Sequence, residues 1–452
     1  MPFDAQRTDT RPTNVRWLVF ALGAGTSWML YLHRYTFALI KPKLGEEWGI
    51  DNTGLGVLDG GFGLFYSACQ FPLGVAVDLI GPHLLLGGMI LAWSIFFGLH
   101  AWAPGVKSLW WIRGGFGAAQ AGTFAALTPI TRNWFPLSVR TTVQGIVGTF
   151  AGRTGGLCAN ILFAVVLVSW LGYDWRTAVW IFTAAGIVLG LVFLAFCRNT
   201  PAEHPLVNDA ERRLIAEGSP DAPSAGRPRM SVREMFRRMR PRAAVNVLTL
   251  ASAATFSTMA DNIYSHWTPL FFKQVHHVSD SMMGWCSALP LLGGAVGGMV
   301  GGLLNDRLPR RFGSLRWARS LVGFGGKGMA AACLLLALAF YDNLYVFTGM
   351  LVVVKFFADW SLASRWGVIT DIGGTASASV SALNNAIAQA IGGIIAPIAI
   401  GYVSEASGWR TVFGMVCAAY VLCAVSWLFV DCRIPVLAEE PSNEDATRRP
   451  RR

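Results

Sequence analysis

Three arginines lie inside apolar stretches in the first half of this chain. Arg34 sits in "YLHRYTFALIKPKL", Arg113 in "WWIRGGFGAAQ" and Arg153 in "GTFAGRTGGLCANILF". A guanidinium offers two parallel hydrogen bonds to a carboxylate or phosphate, so the implied chemistry is holding an anion rather than breaking a bond. Acids to neutralise these charges are scarce. Asp59 and Asp78 mark the two ends of one neighbouring apolar run, and Glu46 and Glu47 fall in an expected loop. Helical spacing gathers polar groups around each arginine: Tyr31, Arg34 and Tyr35 share one face, Arg113, Gly117 and Gln120 a second, and Thr149, Arg153, Gly156 and Asn160 a third. The expectation is a cationic cavity for a small organic anion, built from Arg34, Tyr31, Tyr35, Arg113, Gln120 and Arg153. Asn385 and Gln389, which stack with Ser381, would complete it from the second half. Polar stripes also serve as interhelical glue, and an arginine can pair with an acid or snorkel to an interface. Both readings stand at this point.

Charges at bilayer depth are tolerated when they face a wet cavity or a partner, so the elements carrying them matter. The chain has 452 residues, 53% of them hydrophobic and 14% charged, with 50 glycines and 18 tryptophans. That is too little charge to cover a soluble domain. Abundant glycine and tryptophan suit close-packed transmembrane helices with interfacial anchors. A span needs roughly 20 apolar residues. Runs of that kind occur at about 16–38, 54–77, 84–103, 108–131, 141–168, 177–197, 243–270, 281–304, 318–340, 344–366, 377–402 and 411–431. The expected fold class is an all-α membrane protein with twelve transmembrane helices.

Loop charge orients these spans. Of the 37 Lys and Arg residues, Lys41, Lys43, Lys107, Arg176, Lys273 and Arg410 fall in one set of loops. Arg34, Arg113, Arg153, Lys327, Lys355 and Arg365 lie in or at the ends of spans, and the remaining 25 fall in the other set. By the positive-inside rule both termini are expected in the cytoplasm. The net charge of +11 is therefore largely topogenic and no reason to expect nucleic acid. The polar N-terminus lacks the apolar core of a cleavable signal. Eight cysteines without CxxC spacing indicate neither a disulfide framework nor a zinc site. GxxxxGK[ST], HExxH and GxSxG patterns are absent, so no enzyme, cofactor or metal is expected.

The chain repeats itself. "GYDWRTAVWIFTAAGIVLGLVFLAFCR" from Gly172 parallels "ASGWRTVFGMVCAAYVLCAVSWLFVDCR" from Ala406, and "RTGGLCAN" at 153–160 parallels "AIGGIIAP" at 390–397. Two six-helix bundles follow, at 1–198 and 243–433. They are joined by a cytoplasmic linker at 199–242 and followed by a cytoplasmic tail at 434–452, with the binding site at the interface of the halves. "MSVREMFRRMRPR" in the linker reads as a basic amphipathic helix on the membrane face.

On these motifs the chain resembles the major facilitator superfamily, and within it the anion:cation symporter family of hexuronate, galactonate, sialic-acid and vesicular glutamate carriers. The resemblance rests on "YLHRYTFALIKPKL", "RGGFGAAQAGTFAALTPITRNWFP", "NTPAEHPLVNDAERRLI", "RWGVITDIGG" and "GGIIAPIAIGY", and covers nearly the whole chain. It implies a secondary carrier for a sugar acid or other carboxylate in a bacterial inner membrane, acting as a monomer, with proton coupling as one option. The superfamily's loop signature survives as Gly74, Asp78 and Gly81 in the first half and as Asp306 and Arg307 in the second. Asp78, Asp306 and Arg307, with Arg365 and Asp371 at the end of the tenth span, are the expected gate.

Symporting relatives carry a glutamate on the fourth helix where this chain has Gln120. An amide cannot titrate. Proton coupling would then rest on Asp261, His266 or Asp359; otherwise the protein is an anion exchanger or uniporter. A carrier fold retained as a non-transporting sensor is a further alternative. The organophosphate exchangers share the first motif, but they resemble a site with an arginine on the seventh helix where this chain has Asp261. Lys355 and Asp359, four apart, are expected to pair, and Lys327 is expected in a structural or snorkelling role.

Overall fold

A computed structural model describes residues 11–216, 237, 239–373 and 377–436, and these form helices and turns without a strand. Ten helices are long and apolar enough to cross a membrane. One of them, Val380–Phe429, is two crossings. Gly408 inside it has φ 80° and ψ 168°, outside the helical region. On one side of that bend Gly392 packs on Thr255 and Thr258, and on the other Cys423 donates to the carbonyl of Ala253 at 3.2 Å. Both flanks meet the same level of one helix, so the chain doubles back. A further crossing is made of two short helices, Val106–Gln120 and Thr123–Trp134, in series. The described residues thus supply twelve crossings.

They are α1 Val15–Trp48, α2 Asn52–Ile80, α3 Pro82–Trp102, α4 (the two pieces just given), α5 Ser138–Trp170, α6 Trp175–Phe196, α7 Pro241–His276, α8 Asp280–Phe312, α9 Leu315–Ala339, α10 Leu344–Gly373, and α11 and α12 on either side of Gly408. The largest departure from the sequence reading is in α1, whose apolar run ends near residue 38. The helix runs ten residues further, until Gly49 takes a left-handed conformation (φ 63°) and its N–H closes on the Gly45 carbonyl at 3.0 Å. Lys41 and Lys43, expected in an outer loop, are therefore helical, and Lys41 is fully buried. The helix continues because Lys41 finds a carboxylate partner, described below.

Glycines let these helices approach closely, as in other membrane bundles. On α5, Gly152, Gly155 and Gly156 meet Tyr31, the Trp28 carbonyl and Tyr35 of α1. On α11, Gly392 meets Thr258 and the Thr255 carbonyl of α7, the corresponding pair in the other bundle. Between the bundles, Gly56, Gly60 and Gly63 of α2 face Pro397, Ile398 and Gly393 of α11. Asn52 adds hydrogen bonds to Gln274 (3.1 Å) and Ser404 (3.0 Å). Gly284 of α8 lies against the Asn160 carbonyl of α5. All of these contacts between bundles lie toward the end away from the termini, so that end is closed.

Several helices are broken at mid-depth. α4 breaks after Gln120 and α10 at Asp359. α5, α7 and α11 contain π-turns at Ile146–Phe150, Ile263–Trp267 and Gln389–Gly393, and α5 is π-helical again from Asn160 to its last residue, Trp170. Such irregular backbone is tolerated in a membrane where it is buried in protein or lines a cavity, and it commonly marks function. At the terminal end, the short helix Asp209–Ala216 carries Glu211, whose buried carboxylate accepts from the N–H groups of Val15 (3.1 Å) and Arg16 (3.0 Å). That contact ties the linker to the start of α1, where free N–H groups need acceptors. The proposed amphipathic segment at 230–242 falls mostly outside the described residues, as does the tail beyond 436.

Candidate functional site

Arg34 projects from mid-α1 beside the break in α4. Its Nε and Nη2 donate to Gln120 Oε1 at 3.1 and 3.0 Å, and Gln120 Nε2 reaches the Leu30 carbonyl at 3.5 Å. The rings of Tyr31, Phe62 and Tyr66 stand 5.3, 5.0 and 4.9 Å from the guanidinium carbon. Aromatic faces attract a cation but do not neutralise it, and neither does an amide. Among the described residues no carboxylate pairs with Arg34. Tyr35 lies beside Tyr31, with ring centroids 6.3 Å apart.

Arg113 differs from the sequence reading. It is fully buried, and its Nη2 donates to Asp59 Oδ1 at 2.6 Å, while its guanidinium stacks 3.7 Å from the Phe37 ring. Lys41 Nζ ion-pairs with the other oxygen of Asp59, and His266 Nδ1 approaches Asp59 Oδ1 at 3.2 Å. Lys41 also donates to the His266 carbonyl at 2.8 Å. Asp59 thus gathers α1, α2 and α4 and, through His266, links them to α7 of the other bundle. Arg113 belongs to this closed cluster rather than to an open cavity. The sequence reading counts Asp59 among the few acids without giving it a role, and places Lys41 in a loop. Two spacings in the sequence point to the arrangement: Arg34 and Lys41 are seven apart on one face, and Asp59, Phe62 and Tyr66 follow i, i+3, i+7.

Arg153 also has a carboxylate partner, contrary to the expectation of stranded arginines. Its Nη2 lies 2.9 Å from Asp359 Oδ2 across the interface of the bundles. Lys355, fully buried, donates to Asp359 Oδ1 at 2.7 Å and to Asp261 Oδ1 at 2.5 Å. Four charges on α5, α7 and α10 thereby balance. On the terminal side of the Arg153–Asp359 bridge lies a cleft of about 310 Å³, lined by both residues together with Thr149, Gly298, Leu362 and Trp366. Lys327 does not snorkel: it is buried and donates to Ser257 Oγ on α7 at 2.9 Å.

The remaining candidates scatter. Asn385 and Gln389 are half-buried on α11 without a side-chain hydrogen bond to the described protein, so their polar groups are available. Asp371, an expected gate residue, pairs with Arg319 inside its own bundle (2.8 Å) rather than across the interface. Arg365 lies six residues past the break at Asp359, toward the terminal end of α10. Its Nε is buried without a hydrogen-bond partner among the described residues. Asp78 and Arg307 are exposed at the terminal ends of α2 and α8, and the side chain of Asp306 lies outside the described residues.

Two bundles closed at one end, with charged groups at mid-depth between broken helices, define a membrane carrier rather than a channel or an enzyme. The chain belongs to the Major Facilitator Superfamily, whose profile matches residues 23–397. It is 28% identical to the "probable sulfoacetate transporter" of Cupriavidus necator, over 92% of this chain and 93% of that protein. It is 26% identical to the "probable galactarate/D-glucarate transporter" of Bacillus subtilis, over 88% of each. It is 22% identical to the D-galactonate transporter of an Escherichia coli strain, over 93% of this chain and 96% of that one. Among solved structures, an inward-facing, unoccupied bacterial homologue of the human lysosomal transporter Spinster superposes with TM-score 0.68 at 18% identity. That superposition covers 92% of this chain and 95% of the other. A point mutant of the nucleoside transporter NupG gives 0.67 at 15%, covering 92% and 100%.

Proposed function

We propose that this protein moves a small organic anion, a sugar acid or a related carboxylate or sulfonate, by rocking the halves 1–198 and 243–433 about the site at mid-depth. Arg34 carries this reading. It is a guanidinium inside the membrane, boxed by aromatic rings and bonded to a neutral amide, and among the described residues it has no carboxylate of its own. Burying such a charge costs several kcal/mol, and an anionic cargo offsets that cost. Tyr31, Tyr35, Asn385 and Gln389 offer hydroxyl and amide groups suited to a polyol backbone. The relatives named for sulfoacetate, galactarate/glucarate and galactonate support the class of cargo. The setting that goes with this reading is a bacterial inner membrane, a monomer, and both termini in the cytoplasm. Uptake of galactarate, galactonate and sulfoacetate into proteoliposomes tests it, with R34Q expected to lower uptake at least ~10-fold because a charge-assisted bidentate contact is lost. Binding without uptake would favour a sensor, and uptake unaffected by R34Q would sink the anion site.

Gln120 bears on coupling. It holds Arg34 without a titratable proton, so a proton-coupled cycle must use Asp261, Asp359 or His266, and an exchanger needs none of them. Q120E gives Arg34 a carboxylate. Ionised, the new acid occupies the guanidinium; protonated, it releases it. The expected result is uptake weaker than wild type throughout pH 8 to 5, because the guanidinium beside the new acid keeps it ionised over that range, measured in the same proteoliposomes.

A further inference from the structure

We propose that Asn52 and Gln274 are the gate at the end away from the termini, a reciprocal pair of amides that latches one half to the other. This rests on the rocking motion above and is independent of the cargo.

Asn52 is the first residue of α2 and is 4% exposed. Its own helix does not need its side chain, because Asp51 caps α2 by accepting from the Gly54 N–H at 2.7 Å. The Asn52 side chain bonds across the seam instead. Its Nδ2 donates to Gln274 Oε1 of α7 at 3.1 Å and to Ser404 Oγ of α11 at 3.0 Å, and its Oδ1 accepts from Gln274 Nε2 at 3.0 Å. The Asn52 backbone N–H, one of the free donors at a helix start, donates to Glu405 Oε1 at 2.8 Å. One residue of the first half is thus bonded to three of the second.

The second half presents these groups in one fixed sense. The Trp409 indole N–H, a donor only, donates to Gln274 Oε1 at 2.9 Å, and Ser404 gives its hydroxyl proton to the Gly401 carbonyl at 2.7 Å. Gln274 therefore turns both an oxygen and an amide N–H to Asn52, and Ser404 turns a lone pair. Gly401 permits the approach, since a side-chain carbon there would stand 2.3 Å from the Asn52 carbonyl oxygen. Gln274 and Glu405 are exposed, so opening exchanges these bonds for bonds to water. Each adds modestly to closure, but they break together and their contributions sum. The glycine seam between α2 and α11 remains when they are lost. The halves then still meet, and what changes is how often the end opens.

The test reads access to mid-depth from each end. A reporter, Y31C beside Arg34 in a background without the native cysteines, is labelled by a membrane-impermeant thiol reagent in sealed proteoliposomes of known orientation. N52A and Q274A should each raise the labelling rate from the end away from the termini ~5-fold or more, with no rise from the terminal end. The exchanged pair N52Q/Q274N keeps the same two amides and the same combined reach, and should return the rate to within ~3-fold of the unaltered carrier. G401A should act like N52A although it removes no polar group. Thermal unfolding of each variant identifies any that misfold, and the changes lie on both halves, so loss of one leaves the others to read. No rise in N52A and Q274A overturns the latch, and so does an equal rise from both ends, which marks loosened packing. A reporter reached from one end alone, both in the unaltered carrier and with G63L, overturns the rocking motion as well.

Discussion

Asp359→Asn is expected to abolish transport and to lower the unfolding temperature by on the order of 5 °C or more. Asp359 sits in the break of α10 and serves two cations at once, Arg153 at 2.9 Å across the bundle interface and Lys355 at 2.7 Å on its own helix. Lys355 has no solvent exposure, and the side chain of Asp359 is 3% exposed. Removing one member of a buried ionic group costs about 3–5 kcal/mol, because the partners stay buried with their charge uncompensated. The transport defect has a separate cause. The bridge joins α5 of one bundle to α10 of the other at the roof of the cleft, so it must part and re-form as the halves rock. Asp359→Glu should retain the charge and most of the stability while transporting poorly, since the bridge is then displaced by one methylene. The double variant D359N/R153Q should recover part of the lost stability and none of the transport. Thermal unfolding and uptake on the same preparations read both. Stability of D359N within about 1 kcal/mol of wild type would show that these charges are not a coupled buried group.

Much of this architecture is legible in the sequence because a membrane crossing is a one-dimensional signal. Twenty apolar residues in a row announce themselves, and the repeat of "GWRT"-like segments announces two halves. The pairings are not legible, since they depend on which helices meet. Nothing in "YTFALIKPKL" says that α1 persists to Trp48, and only that persistence carries Lys41 to Asp59. Arg153 reads as stranded because its acid lies 206 positions away on α10, brought near by the contact between halves. Lys355 and Asp359 can be paired from sequence because four residues on one helix are neighbours in any fold.

Gly63→Leu is expected to trap the carrier open at the end away from the termini. A side-chain carbon added at Gly63 would stand 2.4 Å from the Gly393 carbonyl oxygen and 2.9 Å from its carbon, both backbone atoms of a π-turn in α11. Backbone cannot swing aside as a flexible side chain can, so the clash is relieved by separating α2 from α11. Overpacking of this kind costs about 1–3 kcal/mol, which shifts a two-state equilibrium roughly 5- to 150-fold. Only the closed state bears this cost, since the helices stand apart in the other, and the substitution therefore acts on conformation more than on folding. The neighbouring glycines test the same contact: Gly56 would clash with the Pro397 carbonyl at 2.6 Å, whereas Gly74, further along α2, has open space around it. G56L should behave like G63L, and G74L should transport. Closure can be read directly, because Asn52 of α2 and Ser404 of α11 are hydrogen-bonded at 3.0 Å across the same seam. Cysteines introduced at those two positions, in a background without the native ones, should cross-link readily in the otherwise unaltered carrier and at least ~10-fold more slowly with G63L. Uptake should fall in parallel while anion binding from the open side persists. Undiminished cross-linking in G63L would mean that the seam between α2 and α11 yields elsewhere and does not control access.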